Sequence, residues 1–157
     1  MGFFSAGNSR GDVIVIGCGS FGAAFAQALS QKGISLLVMD WEASALGRLS
    51  PRYDGLTMIG DGTRLADLQK AAVQNADTLI AATGSGNRNI LIAQLAEAAL
   101  GIPHIYARVF SADQEAFCHE IGILPFCPAT IFADTVSAAL EQERKGKSAR
   151  IALREGA

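Results

Sequence analysis

Between residues 12 and 140 the chain alternates two hydrophobic patterns. Short apolar runs, several of them apolar on consecutive positions, fall at 13–16, 36–39, 56–59, 78–82 and 104–109, with a weaker one at 123–126. Unbroken apolarity over so few residues suits parallel strands covered on both faces. The stretches between them read as helices at 21–32, 42–49, 64–73, 87–100, 112–121 and 129–145. Gly33, Gly101, Gly122 and Gly146 stand where helices would stop, and Pro51 and Pro103 lie just beyond two of the ends. Strand and helix therefore alternate about six times, which predicts a mostly parallel sheet with right-handed crossovers. The expected architecture is a Rossmann-like, doubly wound α/β sheet of about six strands in the order 3-2-1-4-5-6, with helices on both faces.

The strand at 13–16 runs directly into Gly17-Cys18-Gly19-Ser20-Phe21-Gly22, which opens the next helix. In that context G-x-G-x-x-G is a phosphate-binding loop, with a separate task for each glycine. Gly17 permits the tight turn, Gly19 leaves room for a pyrophosphate, and Gly22 lets helix and strand pack closely. The phosphates would meet the helix N-terminus, where free N–H groups and the dipole favour an anion. Asp40 ends the second strand about 20 residues on, where an acid binds ribose hydroxyls. Its carboxylate would repel a 2′-phosphate, and no arginine adjoins Trp41 to accept one, so NAD-type or simple adenine nucleotides are favoured over NADP. A helix N-cap is the other role open to Asp40.

Gly60-Asp61-Gly62-Thr63 ends the third strand, where it can touch adenine or ribose; Asp61 is equally placed to cap the following helix. Thr83 and Gly84 end the fourth strand, small enough for a ligand to approach at the switch point. Arg108 ends the fifth, where a charge on an apolar strand requires a ligand phosphate or an acid as partner. The expected site is thus Gly17, Cys18, Gly19, Ser20, Phe21, Gly22, Asp40, Trp41, Asp61, Gly62, Thr63, Thr83, Gly84 and Arg108.

Composition narrows the picture. The 157 residues suit one domain, and half are apolar. A net charge of −2 gives no case for nucleic acid. Cys18, Cys118 and Cys127 form no C-x-x-C pair, which points to a reducing, cytosolic setting rather than a disulfide frame or zinc site. Residues 1–11 read as a flexible leader, 12–143 as the nucleotide-binding domain, and 144–157 as a solvated tail.

Val13-Ile14-Val15-Ile16-Gly17-Cys18-Gly19-Ser20-Phe21-Gly22, Gly60-Asp61-Gly62-Thr63, Asn89, Ala107-Arg108-Val109 and the passage from Ile121 through Pro128 together resemble the N-terminal nucleotide-binding (RCK, KTN or TrkA-N) domain of Trk/Ktr potassium-uptake regulators. The resemblance implies a cytosolic regulatory subunit rather than an enzyme. It would bind NAD(H), ATP, ADP or AMP, form a homodimer or larger ring, and sit at the inner face of the membrane on a potassium transporter or channel. In these terms residues 17–22 hold phosphates, Asp40 holds a ribose, and Asp61 and Thr63 border the adenine. The last helix would pack on a neighbour through Ile131, Phe132, Val136 and Leu140, unless those residues simply cover the sheet. ATP-preferring members carry arginine where Ser20 stands, which moves the expectation toward NAD(H), ADP or AMP. Family members usually continue into a C-terminal ligand-sensing domain.

Two other functions remain open. An NAD-dependent oxidoreductase would need proton-moving groups beside the nicotinamide. Neither Tyr53 nor Tyr106 begins a Tyr-x-x-x-Lys motif, His104 opens its strand away from the crevice, and the adjacent Cys118 and His119 would point apart on a helix. The other is a nucleotide sensor with a different partner.

Overall fold

A computed structural model describes residues 12–72 and 76–155; the leader expected at 1–11 lies outside the described residues. The chain divides into two units, one running to Phe126 and one from Cys127 onward.

The first unit carries a six-stranded parallel sheet in the order β3-β2-β1-β4-β5-β6. Its strands are β1 (Asp12–Ile16), β2 (Leu36–Asp40), β3 (Leu56–Ile59), β4 (Ala76–Ala81), β5 (His104–Arg108) and β6 (Leu124–Phe126). Its helices are α1 (Ser20–Gln31), α2 (Ala43–Leu46), α3 (Leu65–Ala71), α4 (Gly86–Leu100) and α5 (Ala112–Glu120). The architecture is the expected Rossmann-like one. β2 is buried at every position, as a central strand covered on both sides must be. Val15, Leu36, Val38 and Ile80 pack with Ala23 and Ala26 of α1 and Ala45 of α2. The alternate positions Ile14, Ile16, Leu37, Met39 and Leu79 are buried as well, on the opposite face. Small alanines on α1 bring its axis close to the sheet, which fixes where its N-terminus lies.

Gly33, Gly101 and Gly122 follow their helices with φ of +72°, +61° and +78°, the left-handed stop that the sequence implies. Two helix ends differ from expectation. The α-helical part of α2 covers only Ala43–Leu46. Gly47, Arg48 and Leu49 donate to carbonyls three residues back, so the segment tightens into turns before Ser50-Pro51. The second unit is one helix, α6 (Pro128–Glu155), which continues through Gly146. One glycine costs a helix only about 1 kcal/mol relative to alanine, and lysine, arginine and glutamate around it favour helix. The segment read as a tail is therefore helical as far as Glu155.

Candidate functional site

Parallel register brings the C-terminal ends of β1, β2 and β4 level, with Ile16 beside Met39 and Ala81. The loops that leave them are tied together: Gly17 N–H donates to Met39 O at 2.8 Å, Ala82 N–H to Ile16 O at 2.8 Å, and Gly60 N–H to Asp40 O at 2.9 Å. The three glycines of the first loop have three different physical reasons to be glycine. Gly17 has φ of +105°, and a Cβ there would lie 2.8 Å from Thr83 N. A Cβ on Gly22 would run into the carbonyl oxygen of Gly17. A Cβ on Gly19 would meet nothing within 4 Å. Gly19 is thus the open face, where a ligand's phosphates can reach the backbone. It is also the N-cap of α1 and supplies no capping side chain, so the N–H groups of Ser20, Phe21 and Gly22 meet no side-chain cap.

Asp40 is 9% exposed. Its Oδ2 accepts the Cys18 N–H at 2.7 Å and its Oδ1 accepts the Glu42 N–H at 2.9 Å. The N-cap of α2 is Glu42, so Asp40 braces the glycine loop instead of capping a helix. Of about four lone-pair sites on a carboxylate, two are used, leaving acceptors for a pair of ribose hydroxyls. Cys18 is fully buried. Burial, and then the Asp40 charge, push its thiol pKa up, against a smaller opposing effect of Arg48. A neutral thiol in that position fills space; it is not the stabilised thiolate that a reactive cysteine requires.

Asp61 sits on the next loop. Its Oδ1 accepts from Thr63 N–H at 3.0 Å, Thr63 Oγ1 at 2.8 Å and Arg88 Nη2 at 2.8 Å. The N-cap of α3 is Arg64, so Asp61 is no helix cap either. Desolvation raises its pKa, but the Thr63 and Arg88 contacts outweigh it and hold the carboxyl at about 2, against an ordinary 3.8. Because the folded value is depressed, the stabilisation is complete above the ordinary carboxylate range. It is lost as pH falls from about 4 toward 2. In Arg88→Ala the Asp61 midpoint is expected to rise toward 3.8, read by carboxyl-carbon NMR titration; an unmoved midpoint would mean that Thr63 alone holds the charge.

Thr83 and Gly84 line the same cleft as Gly17 and Asp40. Thr83 is fixed by Asn89, whose side chain is completely buried. Asn89 Oδ1 accepts from Thr83 N at 2.9 Å and Oγ1 at 2.6 Å, while its Nδ2 donates to Thr83 O at 3.2 Å and Arg108 O at 2.8 Å. Arg108 stands apart from the cleft lining. Its guanidinium lies between the rings of Phe21 and Phe110, 4.6 and 4.7 Å from their centroids. Both rings offer this strand-end charge a cation–π contact. Its Nε is buried without a hydrogen-bond partner among the described residues.

The cleft beyond Gly19 has a volume of about 380 Å³ and is walled by Asp40, Trp41, Glu42, Arg48, Thr83, Gly84, Ser85 and Arg88. That lies within the usual range for small-molecule sites. Of the expected residues, Gly17, Gly19, Asp40, Trp41, Thr83 and Gly84 line it, and Asp61 and Gly62 line a smaller recess beside it. Ser20, Phe21 and Gly22 belong to the first turn of α1, and Thr63 acts on Asp61. Arg48 and Arg88 are functional candidates that the sequence alone does not reveal. Arg48 qualifies the argument against a 2′-phosphate: no arginine adjoins Trp41, yet the turns after α2 bring one to the wall of the cleft, and it forms no ion pair among the described residues.

Cys118 is buried whereas His119 is exposed, so the two do not form a reactive pair. Among the described residues there is no metal-binding group of three or more His, Cys, Asp or Glu, and no helix long and apolar enough to cross a membrane.

A parallel sheet in this order, with a glycine loop open at Gly19 and an acid at the end of β2, defines a Rossmann-type domain. Residues 13–125 match the TrkA-N domain, and the chain belongs to that family. It is 29% identical to the Trk system potassium uptake protein TrkA of Streptomyces coelicolor over 111 residues, 71% of this chain and 50% of the relative. It is 32% identical to the TrkA homolog of Methanothermobacter thermautotrophicus over 111 residues, 71% and 51% of the two chains. The chain thus spans about half the length of these relatives. Three solved structures share the fold. The TrkA-N domain of Escherichia coli inner membrane protein ybaL superposes with a TM-score of 0.72 at 22% identity, over 83% of this chain and 96% of that one. The Shewanella denitrificans Kef CTD in AMP-bound form gives 0.68 at 22%, over 85% and 80%. The GsuK channel bound to NAD gives 0.70 at 21%, over 89% and 25%.

Proposed function

We propose that the chain is a nucleotide-sensing regulatory module of a potassium transport system, acting at the cytoplasmic face of a membrane transporter or channel. The observation that carries the nucleotide half is the pairing of an open Gly19 backbone with the braced carboxylate of Asp40 across one cleft. Anion-binding N–H groups and a ribose acceptor on one cleft suit an adenine nucleotide, with NAD(H) first and ADP, AMP or ATP as the other candidates. The names of the curated relatives support the potassium-transport half. In this reading residues 17–22 receive phosphates and Asp40 the ribose. Trp41, Asp61 and Gly62 flank the base, with Thr63 supporting Asp61, and Thr83 and Gly84 line the sugar–phosphate path. Arg108 serves the distal part of a dinucleotide. Ile131, Phe132, Val136 and Leu140 of α6 are exposed, an apolar face suited to a second copy of the chain in a dimer or ring. A ligand acts by favouring one arrangement of that assembly, to the extent that its affinity differs between the two.

Calorimetric titration with NADH, NAD, ADP, AMP, ATP and NADPH tests the reading. At least one adenine nucleotide is expected to bind, and Asp40→Ala to weaken it by about tenfold or more, the value of hydrogen bonds to a charged acceptor. A folded protein that binds none of the six removes the proposal.

A further inference from the structure

The recess beside Asp40 is small. It is lined by Trp41, Gly60, Asp61, Gly62, Arg88 and Ile92 among others, and its volume is about 20 Å³. That holds one water, not a purine. Yet it lies where a base would go: the strand order puts the β3 loop beyond Asp40 when counted from the phosphate loop of β1. One side chain spans it. Arg88 starts on α4, on the β4 side of the switch point, and its guanidinium reaches over to Asp61 on the β3 loop at 2.8 Å. There it lies 5.4 Å from the centroid of the Trp41 ring. The indole is 66% exposed, so most of its surface faces solvent. Asp61 is anchored by Thr63 and stays ionised, so the guanidinium is tethered at a fixed height above the floor.

The geometry points to a purine clamp whose jaws are the Trp41 indole and the Arg88 guanidinium. This inference rests on the nucleotide reading and adds to it how the base is held. Stacked planes lie about 3.5 Å apart, so a ring between the jaws needs about 7 Å from guanidinium to indole. The observed 5.4 Å is short of that by an amount the exposed indole supplies by swinging outward. Both jaws present flat π or cationic faces, and such contacts grip any purine by its face rather than by its edge. Adenine selection over guanine is therefore weak, and the clamp exchanges a cation–π contact for two stacking contacts when it takes a base.

Trp41 is the chain's single tryptophan, so its emission reports on the jaw directly. ADP and AMP are titrated against the full chain, with calorimetry and tryptophan fluorescence read in parallel, and the calorimetry is repeated on Trp41→Leu and Arg88→Lys. Lysine keeps the charge opposite Asp61 but has no planar face. Expected are saturable quenching with the calorimetric midpoint and about tenfold weaker binding in each variant, the scale of one lost stacking contact. Heat without quenching, or variants that bind as tightly as the parent, overturns the clamp and leaves the nucleotide reading standing. Absence of heat with every nucleotide overturns both.

Discussion

Gly22→Ala is expected to lower stability by about 3 kcal/mol, whereas Gly19→Ala, three residues earlier, is expected to abolish nucleotide binding and leave folding intact. The difference lies in what each new methyl meets. At Gly22 it runs into the Gly17 carbonyl, a backbone atom that no rotamer change can move aside. Relief requires α1 to withdraw from the end of β1, and that helix carries Ala23 and Ala26 into the core. A loss of about 3 kcal/mol is a large share of the 5–15 kcal/mol that stabilises a domain. At Gly19 the methyl meets nothing within 4 Å, and φ of −69° is an ordinary value for alanine. The folded chain gains a methyl on the face that a pyrophosphate must approach. Urea midpoints for both variants, followed by calorimetry on whichever is folded, separate the two effects. A Gly19→Ala protein that binds like the parent would place the phosphates elsewhere. A Gly22→Ala protein with an unchanged midpoint would mean that α1 lies farther from β1.

Local signals made most of the fold legible. Each strand is built around a short apolar run, and Gly33, Gly101 and Gly122 sit where a left-handed residue ends a helix. Gly146 looks the same in sequence but lies inside α6, because a glycine ends a helix only when the residues after it favour another conformation. Charged helix formers come next in the chain, with neither a proline nor an apolar strand among them. In α2 the reading overran, since Gly47 and the approach to Pro51 loosen the α pattern into turns that apolar spacing cannot distinguish.

Within the site, Gly17, Gly19 and Asp40 were legible because the loop and the strand end are local features at a fixed separation. Arg88 was not. Its contact with Asp61 joins residues 27 positions apart, across the crevice, and no periodicity announces it. One signal was present: residues in the first turn after a switch-point loop face the ligand crevice, and Arg88 occupies that turn of α4. Arg108 shows the converse. Its charge was visible and its need of a partner followed, but the contact with Phe21 of α1 joins separate elements and carries no local signal.

Asn89 carries the other large expectation. Asn89→Leu is close in volume, yet it is expected to cost about 3–5 kcal/mol, since the Thr83 N–H, the Thr83 carbonyl and the Arg108 carbonyl each lose a partner worth about 1–3 kcal/mol when buried. Asn89→Asp separates hydrogen bonding from shape. An ionised carboxylate still accepts from Thr83, but it turns an oxygen toward the Thr83 and Arg108 carbonyls in place of the amide donor. Repulsion on that side, at a fully buried position, is expected to destabilise as much as leucine does, and the loss should lessen at low pH as the aspartate takes up a proton and donates again. Because Asn89 joins the end of β4 to the end of β5, both substitutions should also weaken nucleotide binding through a displaced Thr83. Urea denaturation at neutral and acidic pH is the check. If Asn89→Leu keeps the parent midpoint while losing the nucleotide, Asn89 touches the ligand itself and is not the tie that holds the floor of the cleft.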